Sequence, residues 1–190
     1  MVNIALVGCN GKMGKAVTSA AESRNDCKII FGADPFGTPA YDYPVFESLA
    51  VSDKKADVII DFSNPASLDG VLAYALENSV SCVLCTTGYS PEQVEKIKKA
   101  SESVAIFYSG NMSLGINLLI ELSKEAAKIL GAADFDIEIV EKHHNQKIDA
   151  PSGTALMIAD GISDTLAEEP QYVYDRHSYR KKRAKNEIGI

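Results

Sequence analysis

Apolar positions along this 190-residue chain fall first into short unbroken runs and later into longer 3.6-period stretches. Val2 to Val7 is an apolar run interrupted only by Asn3, which predicts a buried strand, and Lys15 to Glu22 then reads as helix. Lys28 to Ala33 predicts a second strand closing at Asp34, followed by a loop containing Pro35, Gly37, Pro39 and Pro44. Ala56 to Phe62 is the third strand, Ser67 to Asn78 its helix, and Val80 to Thr86 the fourth strand. After a turn at Gly88 a helix runs from Pro91 to about Ser101. Pro91 suits the first helical turn and Ser90 the cap before it. Val104 to Tyr108 is the fifth strand. Five strand–helix repeats with short connections predict an α/β fold built on a parallel, doubly wound sheet.

The pattern then changes. Leu114 to Leu130 is a long amphipathic helix ending at Gly131. Phe135 to Glu141 alternates Ile137 and Ile139 with Asp136 and Glu138, so one strand face is buried and one exposed, the character of an antiparallel or mixed sheet. Pro151-Ser152-Gly153 opens a further helix running through Met157 to about Leu166. The change in period predicts two domains, residues 1–112 and residues 113–190, the second an α+β domain with a mixed sheet.

Composition narrows the class of protein without choosing among its members. Hydrophobic residues at 46% and charged residues at 24% are ordinary for a globular chain. No apolar run approaches a bilayer span, and Met1 leads into a strand rather than a signal peptide, so no membrane association and a cytoplasmic location are expected. The net charge of −7 argues against a nucleic-acid partner. Residues 171–190 hold six basic and two acidic residues, leaving thirteen basic against twenty-four acidic, or −11, on residues 1–170. The basic run Arg176, Arg180, Lys181, Lys182, Arg183 and Lys185 reads as a solvated loop or a subunit contact, with a phosphate patch as the alternative. Cys82 and Cys85 have the spacing of a redox or zinc half-site, but they fall within a predicted strand, on opposite faces. Together with Cys9 and Cys27 they read as buried reduced thiols, and no metal site is expected.

Chemistry gathers at two places. Gly8, Gly11 and Gly14 follow the first strand directly and lead into a helix. Such glycines permit a tight turn, let the backbone approach a pyrophosphate, and pack helix on strand. The G-x-x-G-x-x-G spacing departs from the commoner G-x-G-x-x-G and is shared by ordinary strand–turn–helix junctions. Asp34, twenty residues beyond Gly14, adds the acidic group expected at an adenosine ribose. The segments at the other strand ends, Asp61 to Pro65, Cys85 to Gly88 and Ser109 to Ser113, are small and polar, as a cofactor cleft requires. The second place is Glu141-Lys142-His143-His144-Asn145-Gln146-Lys147, running on to Asp149-Ala150-Pro151-Ser152-Gly153-Thr154-Ala155. It puts two imidazoles, an ammonium and a helix start within a dozen residues. Imidazole changes charge near neutral pH, Lys is a mobile cationic acid, and a helix start offers N–H groups to an anion. The combination suits an acidic small molecule that must receive a proton.

In order along the chain, Gly8 to Gly14, Asp61-Phe62-Ser63, Thr86-Thr87-Gly88, Asn111-Met112-Ser113 and above all His143-His144 through Lys147 to Ala155 resemble the dihydrodipicolinate reductase family. The last segment is highly specific. The resemblance implies a Rossmann-type cofactor domain, a second domain for substrate binding and oligomerisation, and NAD(P)H-dependent reduction of 4-hydroxy-tetrahydrodipicolinate in the diaminopimelate and lysine pathway. It implies that His143 and Lys147 supply the proton and that His144, Ser152, Gly153 and Thr154 contact a dicarboxylate substrate. It assigns the cofactor to Gly8, Asn10, Gly11, Lys12, Met13, Gly14, Asp34, Phe62, Cys85, Thr86, Thr87, Ser109, Gly110, Asn111 and Met112. A homotetramer is implied in the same way.

Asp34 would accept ribose hydroxyls and repel a 2′-phosphate. Members favouring NADPH tend to carry Arg directly after the acidic position, where this chain has Pro35. Lys12 remains able to pair with a 2′-phosphate, and NADH is expected to serve at least as well as NADPH. Cys85 stands where a Gly usually precedes Thr86-Thr87. Family chains also normally continue beyond Ile190, so the second sheet is expected to be incomplete. Two other readings fit parts of the chain: a different two-domain dehydrogenase, for example one acting on an aspartate-derived aldehyde, and a non-enzymatic nucleotide-sensing module. Neither employs the double-His segment.

Overall fold

The computed structural model describes residues 1–36, 41–145, 147, 150–178 and 180–190, and the chain divides into two compact units, Met1–Gly110 and Asn111–Ile190.

In the first unit, β1 (Val2–Val7), β2 (Cys27–Ala33), β3 (Val45–Phe46), β4 (Val58–Asp61), β5 (Ser81–Leu84) and β6 (Ile106–Tyr108) form one sheet in the order β3-β2-β1-β4-β5-β6. Every pairing is parallel. This is the doubly wound Rossmann order, with its topological switch between β1 and β4. The helices are α1 (Lys12–Glu22), α2 (Leu68–Asn78) and α3 (Pro91–Ser101). Ala5, Phe31, Ile59, Leu68, Ala75 and Leu84 are fully buried in the core between sheet and helices.

Local chemistry sets several boundaries. At α3, Ser90 Oγ accepts from Gln93 N (3.3 Å) while Gln93 Oε1 accepts from Ser90 N (3.0 Å), a reciprocal cap with Pro91 in the first turn. Gln93 Nε2 also donates to Pro65 O at 2.7 Å, which ties this helix start to the loop after β4. Helix α1 begins at Lys12, not Lys15, because Gly11 already serves as its N-cap. The sheet has a sixth strand, β3, inside the segment expected to be loop. Its two residues pair with Gly32 and Ala33 at the sheet edge.

The second unit contains α4 (Leu114–Ala132), β7 (Ile137–Glu138), α5 (Gly153–Ser163), β8 (Gln171–Val173) and β9 (Glu187–Gly189). Gly161 lets the two helices approach: a Cβ there would lie 2.9 Å from Ile120 Cγ2. The expected alternation is present, with Ile137 and Ile139 half-buried and Asp136 and Glu138 exposed. However, β7 is shorter than Phe135 to Glu141, and the sheet is not mixed among the described strands. Both β7 and β8 run parallel to β9, in the order β7-β9-β8. Alternation reports which face is covered and carries no information on strand direction, which is set by partners fifty residues away. Ile188, central in β9, is fully buried with Ala127, Ala159 and Ile162. The basic run folds back on acidic neighbours. Arg176 pairs with Glu187 (2.7 Å) and Glu138 (2.9 Å), Arg183 with Asp136 (3.4 Å) and Glu138 (3.2 Å), and Lys185 with Asp134.

Candidate active site

Register in the first unit explains why so many of the expected cofactor residues stand together. Val7 faces Ala33 on one side and Asp61 on the other, Asp61 faces Leu84, and Leu84 faces Tyr108. The residues one step beyond, Asp34, Gly8, Phe62, Cys85 and Ser109, therefore leave the sheet as a row along its carboxyl edge. Each is still tied to its neighbour: Gly8 N donates to Ala33 O, Phe62 N to Val7 O, Cys85 N to Asp61 O and Ser109 N to Leu84 O, all at 2.9–3.1 Å.

At the switch point this edge opens into a cleft of about 790 Å³. Gly8, Asn10, Gly11, Asp34 and Phe62 line it, with Ser63 from the strand-end segment expected there; Phe36, Glu47, Ser48 and Leu49 line it too and were not expected at the cofactor. The glycines shape it. Gly8 has φ +75°, and a Cβ there would lie 2.7 Å from Phe62 O. A Cβ on Gly14 would lie 2.3 Å from Gly8 O, so only glycine lets α1 lie against the turn. No side chain caps α1. Its first N–H groups and dipole end are left to an anion, which fits a dinucleotide pyrophosphate. Lys12 and Met13 occupy that exposed first turn.

Asp34 is held rather than loose: Oδ2 accepts from Asn10 N and Oδ1 from Phe36 N, each at 2.9 Å. Each carboxylate oxygen retains a further lone pair for a ribose hydroxyl. Towards the other end of the row, buried Asp61 joins three segments. Its Oδ1 accepts from Ser63 N (2.9 Å) and from the Ser63 hydroxyl, and its Oδ2 from Thr86 Oγ1 and Tyr89 OH, each at 3.2 Å. Burial, with Asp61 nearby, pushes the Cys85 thiol up to about 11. Thr87 lies beside Gly110: a Cβ on Gly110 would sit 3.5 Å from Thr87 Cγ2.

In the second unit the loop after β7 carries His143, His144 and Lys147. Both imidazoles are exposed, and Lys147 is half-buried with its N–H donating to His144 O at 3.3 Å. Gln146, Ile148 and Asp149 of the same motif lie outside the described residues. Ser152, almost wholly buried, caps α5 by accepting from Ala155 N at 3.1 Å. Its own N–H donates to Glu141 Oε1 (2.8 Å) and its hydroxyl to Glu141 Oε2. Thr154 Oγ1 accepts from Asn111 Nδ2 at 3.1 Å, which occupies one of its lone pairs and leaves the hydroxyl able to donate. Asn111, expected at the cofactor, thus meets a residue expected at the substrate. Met112 follows it and is exposed.

Comparison with known proteins adds a second line of observation. The family model described as dihydrodipicolinate reductase, N-terminus, matches residues 2–112, and the corresponding C-terminus model matches residues 115–190. The chain belongs to the dihydrodipicolinate reductase family. A relative from Clostridium tetani named 4-hydroxy-tetrahydrodipicolinate reductase is 50% identical over the whole chain, which spans 74% of that protein. One of the same name from Caldanaerobacter subterraneus subsp. tengcongensis is 47% identical with the same coverage. A solved dipicolinate-bound dihydrodipicolinate reductase from Paenisporosarcina sp. TG-14 shares the fold, with a TM-score of 0.74 at 24% identity. That alignment covers all of this chain and 79% of the other. Among the described residues no helix is long and apolar enough to cross a membrane.

Proposed function

We propose that this chain catalyses the NAD(P)H-dependent reduction of 4-hydroxy-tetrahydrodipicolinate to tetrahydrodipicolinate, a step of diaminopimelate and lysine biosynthesis. The observation that carries this reading is identity of up to 50% along the entire chain to reductases of that name. The residues fit a pyridine dinucleotide, since a Cβ at Gly8 or Gly14 would fill the cradle and the α1 start has no side-chain cap. We assign the cofactor to residues 1–112 and the substrate, with subunit assembly, to residues 113–190.

When bound, the nicotinamide supplies a hydride to the conjugated ring of the substrate. The ring then needs a proton at its enamine-like carbon. His143 is the acid in this proposal, with Lys147 sharing that role and His144 contacting the substrate. Gly153 N–H and the Thr154 hydroxyl receive one substrate carboxylate, at a helix end whose dipole favours negative charge. Asn111 supports this by occupying one lone pair of Thr154 Oγ1, so that its O–H is free to donate. Ser152 shapes the same helix start as its cap. A positioned acid is worth ~10²–10⁴-fold in rate.

We further propose that NADH serves at least as well as NADPH. Asp34 and Glu47 are the charged residues among the described lining of the cleft, and both are acidic, so a 2′-phosphate would meet repulsion there. A homotetramer in the cytoplasm belongs to the same proposal and follows from family resemblance.

The test is oxidation of NADH and NADPH followed at 340 nm, with substrate generated in situ from pyruvate and aspartate semialdehyde by the preceding pathway enzyme. Turnover that is lost in His143→Ala and Lys147→Ala supports the reading. Turnover unchanged in both removes the acid assignment, and a KM for NADPH far below that for NADH removes the coenzyme preference.

A further inference from the structure

The chemistry above uses His143 and the start of α5 but leaves unexplained a carboxylate that touches both. Glu141 stands two residues before His143 and eleven before Ser152. Its Oε1 accepts from Ser152 N at 2.8 Å, and its Oε2 accepts the Ser152 hydroxyl. The same Oε2 lies 3.6 Å from His143 Nδ1. The Ser152 hydrogen bonds, then the nearby positive charges of His143 and Lys147, hold the Glu141 carboxyl below its ordinary range. It is therefore an anion wherever the enzyme works near neutral pH.

We infer that Glu141 is a positioning residue for the reduction, a carboxylate that ties the acid His143 to the Ser152 cap of the helix start receiving the substrate carboxylate. The inference rests on the reading of His143 as the acid. A separation of 3.6 Å is too long for a direct hydrogen bond and acts as an ion-pair contact. At that distance the carboxylate faces the Nδ1 edge of the ring and lies beside the positive charge the ring carries when it acts as the donor. With a carboxylate at the Nδ1 edge, Nε2 is the edge left for substrate, as in other carboxylate-oriented imidazoles. Because Ser152 and His143 share one oxygen, acid and carboxylate-binding helix start are held in one grip.

The bland alternative is that Glu141 merely anchors the cap. Two variants separate the readings, with dipicolinate as the binding probe. Glu141→Gln keeps the size of the side chain and one acceptor oxygen for Ser152 N–H. It turns the other oxygen into an NH2 donor that the Ser152 hydroxyl can rotate to accept, and removes the charge. It is expected to bind dipicolinate within about twofold of the parent while kcat falls ~10- to 100-fold, part of what a positioned acid supplies. The alkaline fall of kcat should also move to lower pH. Ser152→Ala removes the cap but not the charge, and is expected to weaken dipicolinate binding with that fall in its original place. A Glu141→Gln enzyme with the parent's kcat and an unmoved profile overturns the inference, as does one that only loses dipicolinate affinity. Turnover surviving in His143→Ala, with dipicolinate still bound, instead removes the acid assignment on which the inference stands.

Discussion

Asp61 and Thr86, twenty-five residues apart in the chain, meet through a 3.2 Å hydrogen bond from Thr86 Oγ1 to Asp61 Oδ2. That carboxylate is fully buried and also serves Ser63 and Tyr89. Replacing it by Ala would strand the buried Thr86 hydroxyl and the half-buried donors of Ser63 and Tyr89 at once. Asp61→Ala is expected to cost ~2–4 kcal/mol in urea unfolding and to weaken NADH binding, whereas Asp61→Asn should cost less because the three hydroxyls can rotate to suit an amide. Equal losses in the two variants would show that the hydrogen bonds are not what Asp61 contributes.

Gly8 offers a sharper case, since conformation and space both forbid a side chain. Gly8→Ala must place a Cβ 2.7 Å from Phe62 O at φ +75°. Backbone strain alone is worth ~1–3 kcal/mol, before any shift of β4. NADH affinity by fluorescence titration is expected to collapse while far-ultraviolet dichroism keeps its parent shape.

Acid should act on the second unit through Glu141. Its folded-state value lies below the ordinary 4.5, first because Ser152 hydrogen-bonds to the ionised carboxylate. A lowered value means stabilisation that is fully present above pH 4.5 and lost as pH falls through the folded value. Unfolding midpoints of the parent and Glu141→Gln, compared from pH 7 to pH 3, should therefore differ most near neutrality and converge in acid. A constant difference across that range would contradict the linkage.

The thiols should sort by burial. Burial first, and then Asp34 or Asp61, pushes Cys9 and Cys85 up to about 11 and Cys82 to about 12, whereas Cys27 is half-buried. At pH 8 an aromatic disulfide reagent is expected to titrate Cys27 rapidly and the other three only on unfolding. Rapid release of more than one equivalent from the native protein would contradict this.

The expectation of four buried thiols thus fails at Cys27, and the reason is general. What was legible in the chain was local: Ser90 as the cap before Pro91, the glycine turn after β1, the long α4 and the succession of five strands that pair in parallel in the first unit. What was not legible depends on distant partners. Val45-Phe46 is too short to show a period and becomes a strand only beside Gly32 and Ala33. Three-residue β8 and β9 went unseen for the same reason, and with them the parallel pairing of β7. The row of strand ends was legible because those ends follow from the hydrophobic runs. Asp61 and Glu141 were not, because a carboxylate's importance lies in which donors the fold delivers to it.

The shared register of β2, β1, β4 and β5 also turns the sheet edge into a ruler. Strands lie ~4.8 Å apart, so three steps carry the row ~14 Å from Asp34 to Cys85. Each strand contributes one graduation, held to its neighbours by backbone pairing and by side-chain ties such as Asp34 to Asn10 and Asp61 to Thr86. If coenzyme preference is set where we propose, at Asp34 and Glu47, substitutions there are expected to change it while the Asp61–Thr86 hydrogen bond keeps its own geometry. An inserted or deleted residue within a central strand is a different kind of change, since it shifts one graduation out of line with all the others unless a register shift like that of β2 opposite Ile4 and Ala5 absorbs it.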